Sequence, residues 1–178
     1  MDLEEALTLA LSPTSISIFV SLAAASPCGL SSALSAVVLV GIIPVTPVLA
    51  LAAAGLTDLE VSDPSLRPPL LAAAAAAYLA AAVALSGCRP AFSLATCYAS
   101  VTASLALTSL FTKVSVHAAG AAGPILAMVE IAGPEWAPAL VLLAPIFWAR
   151  RRSHTPAQLA LGALQASAVT ALTLLLID

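Results

Sequence analysis

The sequence predicts an all-α fold: an integral-membrane helical bundle with six transmembrane helices, built as a single domain. Of its 178 residues, 61% are apolar and only 8% are charged, whereas an average soluble domain carries roughly 25% charged residues. Because so few charges cannot cover a globular surface, lipid must be the solvent for most of the chain. A hydrocarbon core about 30 Å thick needs roughly 20 apolar residues per helix, so residues 1–178 hold about six spans. We expect the cell membrane as the location.

Charge and cysteine content exclude several kinds of partner and site. The net charge of −3 is too small to predict a nucleic-acid partner. Cys28, Cys88 and Cys97 are an odd number of cysteines without metal-type spacing. We therefore interpret them as small apolar residues in helices, and expect no disulfide framework, metal or other cofactor. The acidic start lacks the basic region of a signal peptide, so we expect the first spans themselves to direct insertion. The oligomeric state stays open.

Residues 1–27 predict a helical element that is separate from the core. Asp2, Glu4 and Glu5 suit a helix N-terminus, where the helix dipole favours negative charge. The interruption at Pro13 divides the following apolar residues into two halves, and neither is long enough to span. The element is therefore an interfacial or re-entrant helical hairpin or, alternatively, a kinked full span.

The core, residues 30–178, contains six apolar runs. Pro44 and Pro47 are expected to kink the first run without preventing a span. Residues 57–69, with three acids and three prolines, predict a water-exposed loop. Small residues dominate every run, so the helices can approach closely. The predicted spans are residues 30–56, 70–85, 91–111, 118–132, 137–149 and 155–177.

Two short polar segments hold both histidines and four of the six basic residues. Residues 112–120 read Thr-Lys-Val-Ser-Val-His-Ala-Ala-Gly, and residues 150–158 read Arg-Arg-Arg-Ser-His-Thr-Pro-Ala-Gln. Because two predicted spans separate them, both segments fall on the same side of the bundle. Cations, histidines and helix N-termini on one side predict a phosphate site.

In the first segment, Lys113 stands at a helix start, where the dipole disfavours a cation unless an anion binds. Ser115 adds a hydroxyl, and His117 can carry a proton. By themselves, these residues fit equally well a lysine that reaches to the membrane surface and a hydrogen-bonded interfacial histidine.

In the second segment, the arginine triplet fits either the positive-inside rule or the clamping of phosphate oxygens. Its members are Arg150, Arg151 and Arg152. His154 and Gln158 are four residues apart, so they share one helix face. The Gln158 side chain is placed to accept the ring N–H of His154 and fix its tautomer.

Together, the segments resemble the type 2 phosphatidic acid phosphatase superfamily of integral-membrane lipid phosphatases. One motif of that family reads Ser-Gly-His, and a later one reads Arg-x5-His-x3-Asp at the start of the last helix. Ser115 and His117 match the first motif, His154 matches the second, and Gly162 matches a small residue in the last helix. The resemblance covers roughly residues 91–178.

The chain departs from the family pattern at four places. Val116 replaces the glycine, and Trp148 stands where the family has arginine, with Arg150 the nearest substitute. The first family motif has no counterpart in its place, since the Arg-Pro pair at Arg89 lies one span early. Gln158 replaces the orienting Asp; the corresponding amide in a Ser-His-Asp triad costs about 10⁴ in kcat.

The resemblance implies hydrolysis of a lipid phosphate or an isoprenoid diphosphate through a phosphohistidine, without a cofactor. His154 would attack phosphorus, His117 would protonate the leaving oxygen, and Gln158 would orient His154. The phosphate oxygens would be held by Lys113, Ser115, Arg150, Arg151 and Arg152. We expect the ring nitrogens of the two histidines to lie roughly 5–7 Å apart.

Two other functions stay open. A catalytically impaired relative would act as a non-enzymatic membrane or lipid-binding protein, as Gln158 and the missing first motif suggest. A transporter would need ionisable groups at mid-depth, where Glu130 is the one candidate. The side of the membrane is also open: the distribution of cations favours the cytoplasm, whereas many members of the family face outward.

Overall fold

The computed structural model describes residues 7, 10–58, 61 and 63–177, and regular secondary structure there is entirely helical. Asp2, Glu4 and Glu5, which are expected at a helix N-terminus, lie outside the described residues. The helices are α1 (Pro13–Ala25), α2 (Leu30–Ala53), α3 (Arg67–Ala84), α4 (Arg89–Thr108), α5 (Val116–Ala132), α6 (Leu143–Arg150) and α7 (Pro156–Ile177), with 3₁₀-helices at Ser26–Cys28 and Pro134–Leu142.

Four helices of the described chain, α2, α3, α4 and α7, are long and apolar enough to cross a membrane, where six such spans were expected. Helix α5 has only 17 residues, and the predicted span 137–149 is divided between a 3₁₀-helix and α6. Proline explains the division. Pro134 and Pro138 lie in the 3₁₀ part, and proline removes the N–H and the space that a continuous α-helix requires.

Helix α2 is distorted around Pro44, as predicted. Its middle is a π-helix, Val37–Ile42, followed by a 3₁₀ turn at Ile43–Val45. The ring of Pro44 conflicts with the carbonyl four residues earlier, at Val40, so the regular hydrogen-bond pattern cannot continue through it.

Helix α5 lies at the centre and packs against α1, α4 and α7, while α3 pairs with α4. Small residues permit this packing: a Cβ on Gly123 would lie 3.2 Å from the Thr170 hydroxyl and 3.3 Å from the Ala166 methyl group. Large apolar side chains remain on the outside, as expected for helices that face lipid. The most exposed include Leu30, Leu79, Val83, Leu107, Leu164, Leu175 and Leu176.

Helix α1 is packed into the bundle. Its N-cap Ser12 accepts the Ser15 amide at 3.1 Å, and Pro13 lies beside Gly120 near the start of α5. Its buried face, which includes Val20 and Ala24, contacts α5 and the π segment of α2.

The interpretation of the three cysteines as small apolar helix residues without a disulfide is wrong for two of them. Cys28 and Cys88 form a disulfide with a Cα–Cα distance of 5.9 Å. Cys28 ends the 3₁₀ turn after α1, and Cys88 is the N-cap of α4. Cys97 is buried inside α4. No local spacing pattern indicates the pair, because 60 positions separate the two residues.

The chain reverses direction at successive turns, so the turns collect at two ends of the bundle. The motif end comprises the connections 54–66, 109–115 and 151–155. The disulfide end comprises the turns at Cys28, Cys88 and Gly133, and there Arg89 donates a hydrogen bond to the carbonyl of Ile177.

Candidate functional site

The structure brings the segments 112–120 and 150–158 into direct contact. The amide of Ser115 donates to the carbonyl of Gln158 at 3.2 Å, and the Lys113 ammonium donates to the carbonyl of Ser153 at 2.8 Å. A Cβ on Gly162 would overlap the carbonyl oxygen of Ser115, so only glycine allows α7 to lie this close.

Ser115 fixes the start of α5. It is fully buried, and its Oγ accepts the amide of Ala118 at 3.3 Å as the N-cap. This bond satisfies one of the four amides that a helix start leaves without an intrahelical partner. The hydroxyl proton can still be donated to another group.

Thr155 and Gln158 form a reciprocal cap at the start of α7. The backbone amide of Thr155 donates to Oε1 of Gln158 at 3.1 Å, and the backbone amide of Gln158 donates to Oγ1 of Thr155 at 3.3 Å. The signal for this capping box was present in the sequence as Thr-Pro-Ala-Gln before an apolar run. Gln158 therefore holds the helix start in addition to lying near His154.

His154 is buried, with 8% of its surface exposed. Burial is the largest cause that lowers its pKa to about 4, followed by the positive charges of Lys113, Arg150 and, more weakly, Arg67. A hydrogen-bonding contribution from Gln158 opposes the shift, although the well-formed bond of that amide oxygen is to Thr155. At neutral pH, His154 is therefore uncharged in a positive environment.

The three arginines of the triplet occupy different environments. Arg150 is buried, with 4% of its surface exposed, and its charge acts on His154. Arg151 is exposed and lies over the Trp148 ring at 4.2 Å, and it also donates to the Trp148 carbonyl. Arg152 is exposed. The structure thus puts Arg150 beside His154 and turns Arg151 toward an aromatic side chain typical of membrane boundaries.

Arg67 is a contributor that was not predicted. It begins α3 at the motif end, and its Nε donates to the carbonyl of Val61 at 2.7 Å. Its positive charge contributes to the lowered pKa of His154. The sequence signal was topological: the predicted spans 70–85 and 91–111 separate the 57–69 loop from the first polar segment, which puts both on the same side.

His117 is the second residue of α5 and is half-buried, two positions after Ser115. His117 therefore lies at the motif end, as expected. Its separation of roughly 5–7 Å from the His154 ring stays a prediction. Over residues 10–58, 61 and 63–177, no group of three His, Cys, Asp or Glu side chains is arranged to hold a metal ion.

The site thus combines a neutral buried histidine with three cations at the motif end: Lys113, Arg150 at the end of α6 and Arg67 at the start of α3. Such an arrangement can attract an anion, because water does not fully compensate the charge of the buried Arg150. It can also supply a neutral imidazole as nucleophile or base. No protein-family model, curated protein or solved structure matches this chain.

Proposed function

We propose that this chain is a membrane phosphatase that hydrolyses a lipid phosphate or an isoprenoid diphosphate through a phosphohistidine. One observation carries the proposal: Lys113, Arg150 and Arg67 all act on the buried ring of His154. A phosphoryl group in this position would have its negative oxygens beside fixed cations. That is the usual way in which proteins stabilise the charge of phosphoryl transfer.

A membrane location, supported by four helices that are long and apolar enough to span, favours a lipid substrate. Helix α5 has 17 residues, which is near the lower limit for a span of about 17–25 residues. The 3₁₀-helix Pro134–Leu142 and α6 together reach about 30 Å, because a 3₁₀-helix rises about 2.0 Å per residue. These two elements would complete the six spans, with α1 as the additional N-terminal helix.

In the first step, a ring nitrogen of neutral His154 attacks phosphorus, and the P–N bond forms as the P–O bond of the ester breaks. His117 gives its proton to the leaving alcohol or phosphate oxygen. In the second step, water attacks the phosphohistidine and loses a proton to His117, the P–N bond breaks, and inorganic phosphate is released. Lys113 and Arg150 hold the phosphate oxygens through both steps, and Ser115 donates its hydroxyl proton to one of them.

A second function, non-enzymatic binding of a phosphorylated lipid, is favoured by one specific observation. The side-chain oxygen of Gln158 is bonded to the Thr155 amide and brings no negative charge to His154. In a histidine-dependent enzyme, the orienting carboxylate stabilises the charged ring. Without it, the same site could bind phosphate while turnover is slow.

The test is release of inorganic phosphate from phosphatidate or an isoprenoid diphosphate by the purified protein in detergent micelles. We expect turnover that falls by roughly 10³-fold or more in His154→Ala, as when a nucleophile is removed. Full activity in that variant would contradict the mechanism. Binding of the lipid without any phosphate release would support the second function.

A further inference from the structure

The two ends of the bundle differ in charge. Five of the six basic residues belong to the motif end: Arg67, Lys113, Arg150, Arg151 and Arg152. Arg89 is the one basic residue at the disulfide end. Short loops with an excess of lysine and arginine remain in the cytoplasm. Arg151 is exposed and lies over the ring of Trp148, a residue type that is enriched at membrane–water boundaries.

The two ends also differ in redox chemistry. The Cys28–Cys88 disulfide joins two turns at the end opposite the motifs. Disulfides persist in oxidising, extracytoplasmic environments and are rare where glutathione and thioredoxin keep thiols reduced. Among the cysteines, only Cys97 lies elsewhere, buried within α4. The redox argument therefore puts the disulfide end outside the cell and, by the topology of the bundle, the motif end inside.

The charge distribution and the disulfide involve different residues and different physics, and both favour the same orientation. We infer that the His154 site opens to the cytoplasm, and that its ligand is a phosphate group displayed on the cytoplasmic leaflet of the membrane. The orientation stands on the charges and the disulfide alone. The identity of the ligand rests on the proposed function. In the cell, the reaction would therefore draw on phosphorylated lipids made on the cytoplasmic side, with the outer end of the bundle held by its disulfide.

Two reporter cysteines test the orientation directly. Ser65→Cys lies in the exposed 57–69 loop at the motif end, and Glu135→Cys lies in the exposed turn at the disulfide end. Both are made in a Cys97→Ala background that keeps the disulfide. In intact cells, a membrane-impermeant maleimide should label Glu135→Cys, and it should label Ser65→Cys only after permeabilisation. The reverse pattern would overturn the proposal.

The disulfide is tested in the same cells, where free thiols are blocked with N-ethylmaleimide before lysis. Mass spectrometry of the peptides should then find Cys28 joined to Cys88. If both residues carry the blocking group, the redox argument fails, and so does the inference drawn from it.

A third arm concerns the ligand. In inside-out vesicles the cytoplasmic face is outermost. Such vesicles, when they contain phosphatidate, should release phosphate or protect the bound phosphatidate headgroup at their outer surface, whereas right-side-out vesicles should do neither. Inorganic phosphate is added outside the inside-out vesicles as a competitor. This competition distinguishes a lipid headgroup from free phosphate as the ligand of the site. If neither orientation releases or protects phosphatidate while labelling is as expected, the proposed function fails and the orientation remains. Release or protection in right-side-out vesicles alone would overturn the cytoplasmic assignment.

Discussion

The backbone amide of Ser115 donates a hydrogen bond to the carbonyl oxygen of Gln158 across 3.2 Å. This bond joins the start of α5 to the first turn of α7, where Gln158 also caps the helix through Thr155. Two polar segments that are far apart in the sequence therefore share one junction. The junction holds Lys113 and His154 at the same end of the bundle, as a shared phosphate site requires.

The contact at Gly162 should be required for this junction. In Gly162→Ala, the new methyl group would overlap the Ser115 carbonyl oxygen, and overpacking of this kind costs about 1–3 kcal/mol. We expect the thermal midpoint in detergent to fall by roughly 2–10 °C. Gly87→Ala is the matched control, because its Cβ would meet no atom within 4 Å. Equal midpoints in the two variants would contradict the close approach of α7.

The buried guanidinium of Arg150 should contribute more to phosphate binding than that of Arg89 at the disulfide end. A hydrogen bond to a charged group contributes about 1.5–3 kcal/mol, so Arg150→Gln should weaken binding of inorganic phosphate by roughly 10- to 150-fold. Arg89→Gln, at the disulfide end, should change it by less than about 2-fold. Isothermal titration calorimetry measures both.

Because Arg150 is buried, its replacement can also reduce stability, and an exposed residue provides a second test. Lys113→Met changes a residue on the surface of the site and should also weaken phosphate binding while the thermal midpoint stays within a few degrees of that of the wild type. Unchanged binding in both Lys113→Met and Arg150→Gln would exclude a phosphate site at these residues.

A carboxylate at position 158 should increase turnover. Gln158→Glu keeps the length and the acceptor oxygen of the capping box and adds the negative charge that Gln158 lacks. We expect the pKa of His154 to rise and phosphate release to increase by about 10-fold or more. Thr155→Val removes the Oγ1 acceptor but adds no charge, so it should reduce stability by about 1 kcal/mol without raising activity. Increased activity in both variants would contradict the electrostatic explanation.

The low pKa of His154 should make the fold sensitive to acid. Its pKa is 6.5 in the unfolded chain and about 4 in the folded one, so the unfolded state binds more protons between these values. The free energy of unfolding should therefore fall as the pH is lowered from about 6.5 to 4, and then become independent of this group. In His154→Gln this part of the decrease should disappear. The same pH dependence in both proteins would show that His154 is not buried near cations.

The all-helical fold and the contact between the two polar segments were accessible from the sequence, because they depend on simple counts. Low charge predicts helices in lipid, and two runs between the motifs predict that the motifs share one end. The division of residues 137–149 was harder to predict. Pro134 and Pro138 are visible in the sequence, but whether proline kinks an α-helix or converts it to a 3₁₀-helix depends on packing with α5.

The disulfide and the role of Arg67 were missed for related reasons. Both depend on which turns meet in space: Cys28 meets Cys88, and the start of α3 approaches His154 closely enough for the Arg67 charge to act there. The composition of the loops does not contain this information. In contrast, the cap formed by Thr155 and Gln158 is a local pattern and could have been recognised.

The most direct test of the central claim, that His154 lies in a phosphate site, is a proton NMR titration of the two histidines with inorganic phosphate. The chain has only two histidines, so His117→Gln assigns the His154 signal. Without ligand, the pKa of His154 should be about 4, and saturating phosphate should raise it by about one unit or more, because a bound anion favours the charged ring. Chloride at the same ionic strength is the control. A His154 midpoint that is unchanged by saturating phosphate would contradict the account.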